Sequence, residues 1–318
     1  MSLNGKSTTD LGSRRYDSEI LEPLGGLSPA NIHDLIALRE SSAEALLHFQ
    51  RSSDGEIEIV DEILFTEDGS IRLRLYIPRS GYTGGLLWVH GGAFVLGSPE
   101  VDDDLCRHLA LTHRLIIVSP DYRLAPEHPH PAAERDCYAA FTFLRNLVFE
   151  ICDQMTIVVA GASAGGALAL ATALRAISFG FKVERLMLAY PVVDSSLTSE
   201  SMKKYESAPI FDGAHAQVMW DRYLGGRDGN AWSNPLKNPH LQKLPLTLVI
   251  TTENDPLRDE GLELVRSLLS SGVSVQALHI AGSYHAFDRF APDSQLAKDF
   301  LFTLDHFLKR PLLVESNL

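Results

Sequence analysis

Two periods of hydrophobicity divide the chain. From Ser28 the apolar positions recur at helical spacing: Ser28 stands as an N-cap, Pro29 sits in the first turn, and Ile32, Leu35 and Ile36 share one face, with Leu46, Leu47 and Phe49 further on. Alternation then takes over. "EIEIVDEILF" and "IRLRLYI" predict two strands joined by the turn "TEDGS", the second setting Ile71, Leu73 and Leu75 against its arginines. Six short runs follow, "GLLWVH" (85–90), "RLIIVS" (114–119), "TIVVAG" (156–161), "RLMLAY" (185–190), "LTLVITT" (246–252) and "VSVQALHI" (273–280). Most are apolar throughout, as strands become when a sheet is covered on both faces. Helical patterns lie between them at about 103–112, 132–149, 164–179 and 259–271, and a last one follows Ser294. Strand alternating with helix predicts an α/β chain built on a mostly parallel, eight-stranded sheet flanked by helices.

One interval breaks the rhythm. Between Tyr190 and Leu246 lies a long insertion containing the helical piece "DGAHAQVMWDRYLGG", closed by Gly225 and Gly226. An insertion of that length in an α/β domain predicts a lid or binding element, and its Tyr205, Phe211, Met219, Trp220 and Tyr223 are suited to an apolar pocket.

The stretch "TIVVAGASAGGALALATAL", 156–174, carries no charge and approaches the roughly 20 residues of a membrane span. Gly161, Gly165 and Gly166 interrupt any such helix, however, and the β-branched "TIVV" prefers a strand. Read as strand, turn and helix, the same residues place Gly161-Ala162-Ser163-Ala164-Gly165 where the GxSxG pattern has physical meaning, with a serine on a tight corner between a strand and a helix. The pattern alone is weak. Its weight comes from what surrounds it.

An elbow serine needs donors for the oxygen that becomes negative in a tetrahedral intermediate, one of them the N–H after the serine, here Ala164. His90-Gly91-Gly92-Ala93-Phe94, at the end of the "GLLWVH" strand, supplies the rest, the N–H groups of Gly91 and Gly92. In this arrangement the acid and then the histidine follow the serine along the chain. Of the histidines beyond Ser163, His215 and His240 fall in or beside the insertion, His279 in a strand run and His306 in the final helical pattern. Only His285, in "AGSYHAFD", occupies a loop just after the last strand. The acid is Asp255, at the turn of "LTLVITTENDPLRDEG"; Glu253 is its nearest rival, and Asp259 and Glu260 are expected to cap the next helix. In these roles His285 takes the proton of Ser163 as the hydroxyl attacks an acyl carbon, and Asp255 holds the imidazole tautomer.

Composition narrows the partners. The 318 residues are 45% hydrophobic and 22% charged, enough for one large core. The 28 basic and 41 acidic residues leave a net charge of −13, which repels nucleic acid and anionic lipid surfaces, and stable membrane association is not expected. Cys106, Cys137 and Cys152 are odd in number and in no CxxC pair, which argues against a disulfide framework or a thiolate metal site. With no signal-like apolar core near the N-terminus, a cytoplasmic location is expected.

With these pieces in place, the chain resembles the hormone-sensitive lipase-like family of α/β-hydrolases, which groups bacterial carboxylesterases with arylacetamide deacetylases. The resemblance runs from about Leu64 to Leu308 and rests on "HGGAFVLGSPEVDDDLCRHLA", "DYRLAPEHPHPAAERD", "GASAGGALA", "DPLRDEG" and "YHAF". It implies an α/β-hydrolase fold with a helical cap from residues 1–45 and 195–235 on a catalytic core of 46–194 and 236–318. It also implies hydrolysis of short- to medium-chain esters without metal or organic cofactor, loop support from Arg123, Pro126 and Glu127, and dimerisation through the last strand. The sequence departs from the family where Ala93 replaces the third glycine and Ala162 stands where Asp or Thr is common before the serine. The same residues serve an amide, formamide or carbamate, and a non-catalytic ligand receptor on this scaffold is a further alternative, disfavoured by the presence of His285.

Overall fold

The computed structural model describes residues 14–24, 34–40, 55–150, 156–231 and 233–311. Ser28, Pro29, Ile32, Leu46, Leu47, Phe49 and Cys152 lie outside the described residues.

All eight expected strands form: β1 (Ile57–Thr66), β2 (Gly69–Pro78), β3 (Gly84–Val89), β4 (Leu115–Asp121), β5 (Thr156–Ala162), β6 (Arg185–Ala189), β7 (Leu246–Asn254) and β8 (Val275–Tyr284). They make one sheet in the order β1-β2-β4-β3-β5-β6-β7-β8. β2 is antiparallel to both β1 and β4, and every pairing from β4 through β8 is parallel. The two-sided apolar runs follow from this layering. Leu87, Val89, Ile157 and Val159 face one core, while Leu86, Trp88, Val158 and Ala160 face the other.

Helices cover both faces. α1 (Ser18–Leu24) and α2 (35–40) lie on the N-terminal segment; α3 (Asp103–His113), α4 (Ala132–Phe149), α5 (Ala164–Ser178), α8 (Arg258–Ser270) and α10 (Gln295–Lys309) follow strands; α6 (Glu200–Lys204) and α7 (Gly213–Leu224) belong to the insertion; α9 (Phe287–Phe290) follows β8. α4, α5 and α8 pack on one face of the sheet, and α3 and α10 on the other. Local chemistry sets several ends. Gly225 closes α7 in the left-handed conformation, and the Ser294 side chain accepts from Ala297 N at the start of α10.

Two boundaries differ from expectation. β8 begins at Val275 and continues to Tyr284, so most of the loop expected before His285 is strand. Asp259 and Glu260 do not cap α8, whose N-cap position is Leu257 without a side-chain bond. Asp259 Oδ2 instead accepts from Ser201 N at 2.7 Å, and Glu260 Oε1 accepts from Val193 N at 2.7 Å and Asp194 N at 3.3 Å. The start of the insertion offers them buried amides that would otherwise be unsatisfied, a stronger demand than a helix end reachable by water. Burial pushes the Glu260 carboxyl well above the ordinary range.

Candidate active site

Ser163 stands alone between β5 and α5 at φ 56°, ψ −123°. Its neighbours make that corner possible. A Cβ on Gly161 would lie 2.3 Å from the Gly165 carbonyl oxygen, and one on Gly165 would lie 2.1 Å from Val89 O and 2.3 Å from His90 O. Such a backbone costs on the order of 1–3 kcal/mol and persists only where its surroundings over-determine it. Here they do: Ser163 N donates to Ala189 O at 2.9 Å, and Ser163 O accepts from Gly166 N, Ala167 N and Val192 N at 2.9, 3.3 and 3.1 Å.

The other sequence-selected side chains converge on this serine. His285 Nε2 lies 2.9 Å from Ser163 Oγ, and His285 Nδ1 lies 2.8 Å from Asp255 Oδ2. Asp255 is fully buried, and its carboxylate also accepts from Thr252 Oγ1 at 2.5 Å and Leu257 N at 2.8 Å. A carboxylate can only accept, so Nδ1 carries the imidazole proton and Nε2 is left to accept from the serine hydroxyl. The rival, Glu253, accepts from Gly282 N at 2.6 Å, which directs it to the backbone before His285. His215 Nδ1 pairs with Asp212 at 2.6 Å and His279 Nδ1 with Thr251 at 2.9 Å.

The loop after β3 is held from below. His90 is buried, stacks on Tyr122 with ring centroids 4.3 Å apart, and donates from Nδ1 to Gly91 O at 2.7 Å. Burial holds its pKa below the ordinary value, which keeps the ring neutral. Tyr122 Oη donates to His90 O at 3.0 Å, and the amides of Val95 and Leu96 both donate to Gly92 O at 3.0 Å. Gly92 has φ 130°, and a Cβ there would meet Leu96 O at 2.0 Å. A Cβ on Gly91 would lie 3.2 Å from Ser163 Cβ, so this glycine adjoins the serine directly. Among the described turn and loop hydrogen bonds, the amides of Gly91, Gly92 and Ala164 donate to no backbone carbonyl. Ala93 adopts φ 53°, a conformation that glycine would take without strain.

Two aromatic rings enclose His285. Tyr190 meets it edge-on at 4.9 Å, and Phe211, between α6 and α7, lies 5.1 Å away. Of the five insertion residues expected at a pocket, all are buried, and Phe211 alone has a ring contact with His285. Tyr223 instead stacks on Phe94 at 3.8 Å, with Trp220 5.9 Å from the same ring, so α7 packs against the glycine loop. From the N-terminal side, Arg39 of α2 donates to Val95 O at 2.7 Å and Ala125 O at 2.9 Å, and pairs with Glu127 through two bonds of 2.8 and 2.9 Å. Arg123 pairs with Asp136 through bonds of 2.9 and 2.8 Å. Sequence reasoning missed Arg39 as well as Asp102 and Arg289, which form an ion pair beside Gly91. No local pattern distinguishes them from solvated charges.

Among the described residues no group of three or more His, Cys, Asp or Glu side chains could hold a metal ion, and no helix is long and apolar enough to cross a membrane.

The chain is similar to known proteins over most of its length. The family described as alpha/beta hydrolase fold matches residues 86–289. An arylesterase of Saccharolobus solfataricus is 36% identical over 70% of this chain and 74% of its own, and an ethyl acetate hydrolase of Pseudomonas putida is 30% identical over 80% and 83%. Among solved structures, a bacterial heroin esterase superposes with a TM-score of 0.89 at 29% identity, covering 94% of this chain and 99% of that one.

Proposed function

The chain belongs to the hormone-sensitive lipase-like family of α/β-hydrolases and is a carboxylic ester hydrolase; on that premise we propose that it cleaves short- to medium-chain acyl or aryl esters through Ser163, His285 and Asp255. The observation that carries this reading is the unbroken chain of contacts from Ser163 Oγ through His285 to buried Asp255, at 2.9 and 2.8 Å. Similarity to an arylesterase and an ethyl acetate hydrolase supports the ester class.

The chemistry follows from the proton positions. Ser163 Oγ attacks the acyl carbon as its proton passes to His285 Nε2, and the carbonyl π electrons move to oxygen. The resulting oxyanion is met by the N–H groups of Gly91, Gly92 and Ala164. Collapse expels the alcohol, which takes the proton from Nε2 and leaves an acyl-serine. Water then gives a proton to Nε2 and attacks the acyl carbon, and the second collapse returns that proton to Ser163 and frees the acid. Throughout, Asp255 fixes the ring and stabilises the imidazolium.

A cap drawn from residues 1–45 and 195–235, of which 1–13, 25–33, 41–45 and 232 lie outside the described residues, closes this site in our proposal; Arg39 on Val95 O and Tyr223 on Phe94 support it from both segments. The buried free thiols of Cys106 and Cys137 suit a reducing cytoplasm, and β8 at the sheet edge suits a homodimer. Ser163→Ala is expected to lower hydrolysis of nitrophenyl acetate by about 10⁴-fold or more, and a fluorophosphonate probe is expected to label Ser163. Retained turnover in Ser163→Ala sinks the assignment, and faster cleavage of a matched amide than of its ester moves the substrate class to amides.

A further inference from the structure

Beside Gly91 lies an ion pair, its Asp102 side chain buried and its Arg289 side chain 24% exposed, that the Ser163–His285–Asp255 chain does not use. Arg289, on α9 just after His285, donates from Nη2 to both oxygens of Asp102 at 2.9 and 3.0 Å. The Asp102 side chain is 3% exposed, and its Oδ2 also accepts from Trp88 Nε1 at 2.7 Å. Trp88 is the penultimate residue of β3, and Asp102 ends the 3₁₀ turn Pro99–Asp102, so the carboxylate ties together both ends of the loop that carries Gly91 and Gly92. A Cβ on Gly91 would lie 3.4 Å from Arg289 Nη2. The guanidinium therefore packs directly against the glycine that adjoins Ser163.

Stability does not explain this pair. The desolvation of Asp102 and of much of Arg289 offsets their attraction, and Arg289 Nε is buried with no hydrogen-bond partner among the described residues, so the pair is a weak source of stability. What the pair supplies is distance. In the sheet, β5, β6 and β7 separate β3 from β8, so no direct strand pairing joins the glycine loop to the segment that carries His285. The Arg289–Asp102 contact spans that gap.

We propose that Arg289, anchored by Asp102, is a positioning residue that holds His285 and the Gly91 and Gly92 amides at one working separation, so that base and oxyanion donors meet the transition state together. This rests on the reading of Ser163, His285 and Asp255 given above. A misplacement near 1 Å costs about 10²-fold in rate, so Arg289→Met is expected to lower kcat for nitrophenyl acetate by about that factor while KM stays within about threefold. Arg289→Lys keeps the charge on a different head group and is expected to recover most of the loss, stopping about three- to tenfold below wild type.

The double variant Asp102→Asn/Arg289→Met removes both charges of the pair, is expected to fold, and is expected to remain as slow as Arg289→Met, the two losses being non-additive. A role in folding alone predicts the opposite: a lowered melting temperature in Arg289→Met, normal kcat below it, and full activity in the double variant. Wild-type kcat in Arg289→Met or in the double variant overturns the proposal. Phosphonate labelling separates the two readings. A wild-type chain that is not labelled at Ser163 fails the triad, whereas normal labelling with unchanged kcat in the Arg289 variants fails only the positioning.

Discussion

Replacing Asp255 by Asn tests the proposed mechanism with almost no change of shape. The carboxylate accepts three hydrogen bonds: Leu257 N on Oδ1, and Thr252 Oγ1 and His285 Nδ1 on Oδ2. An amide has one oxygen. If that oxygen faces His285, the NH₂ group meets the Leu257 N–H and leaves buried donors opposed, at about 1–3 kcal/mol. If it faces Leu257, the NH₂ group meets Nδ1, which must then accept. The threonine hydroxyl can rotate to suit and the imidazole can change tautomer, so the second arrangement prevails. Nε2 now carries the proton and donates to Ser163 Oγ, and the base is lost. A wrong tautomer costs about 10⁴-fold in kcat, roughly 5.5 kcal/mol of barrier. The assay is steady-state hydrolysis of nitrophenyl acetate near neutral pH, with Glu253→Gln alongside. Glu253→Gln is expected to stay within a few fold of wild type, because Glu253 bonds Gly282 N and not His285. Asp255→Asn activity above a tenth of wild type, or a large loss confined to Glu253→Gln, refutes the reasoning.

Other perturbations reach the fold around the site. Gly165→Ala places a methyl group 2.1 and 2.3 Å from two backbone oxygens that no rotamer change relieves, and a loss of about 3 kcal/mol or more is expected from urea denaturation; a wild-type midpoint contradicts it. Phe211→Ala opens space beside His285 and is expected to raise kcat/KM for octanoate relative to acetate esters by about tenfold, with an unchanged ratio counting against Phe211 as a wall of the acyl site. Burial resists ionisation of Glu100, yet its hydrogen bonds with Arg72 outweigh that and hold its carboxyl at about 2, below the ordinary 4.5. Its contribution is therefore whole above about pH 4.5 and lost as pH falls toward 2. After solvent screening this amounts to on the order of 1–2 kcal/mol, so acid titrations of stability for wild type and Glu100→Gln should converge across that window.

Much of this was legible because it is written in local pattern. The strand runs and the helices at 132–149 and 164–178 come from periodicity, which records burial directly. The proposal of Ser163, Asp255 and His285 came from order along the chain and from which residues end strands, and the three side chains lie within hydrogen-bond distance in series. What escaped is non-local. Asp259 and Glu260 read as helix caps because sequence shows their own helix but not the amides of Val193, Asp194 and Ser201 brought against it. Arg39 and Arg289 drew no reading from the sequence, since nothing near either residue announces a carbonyl 56 positions away or a carboxylate 187 positions away.

The carboxylates of Asp259 and Glu260 bear on how such a hydrolase can be re-engineered. The insertion looks like a cassette bounded by two strands, and swapping it for another is an obvious route to a new substrate range. Yet its leading edge is bolted to α8 at Val193, Asp194 and Ser201, immediately beside the turn that presents Asp255. Val192, one residue earlier, donates to the carbonyl of Ser163 itself. A graft cut at the end of β6 severs the fastenings of nucleophile and acid together, whereas one cut beyond Ser201 leaves both in place. Where the cassette may be changed is decided by those four residues, not by where the strand stops.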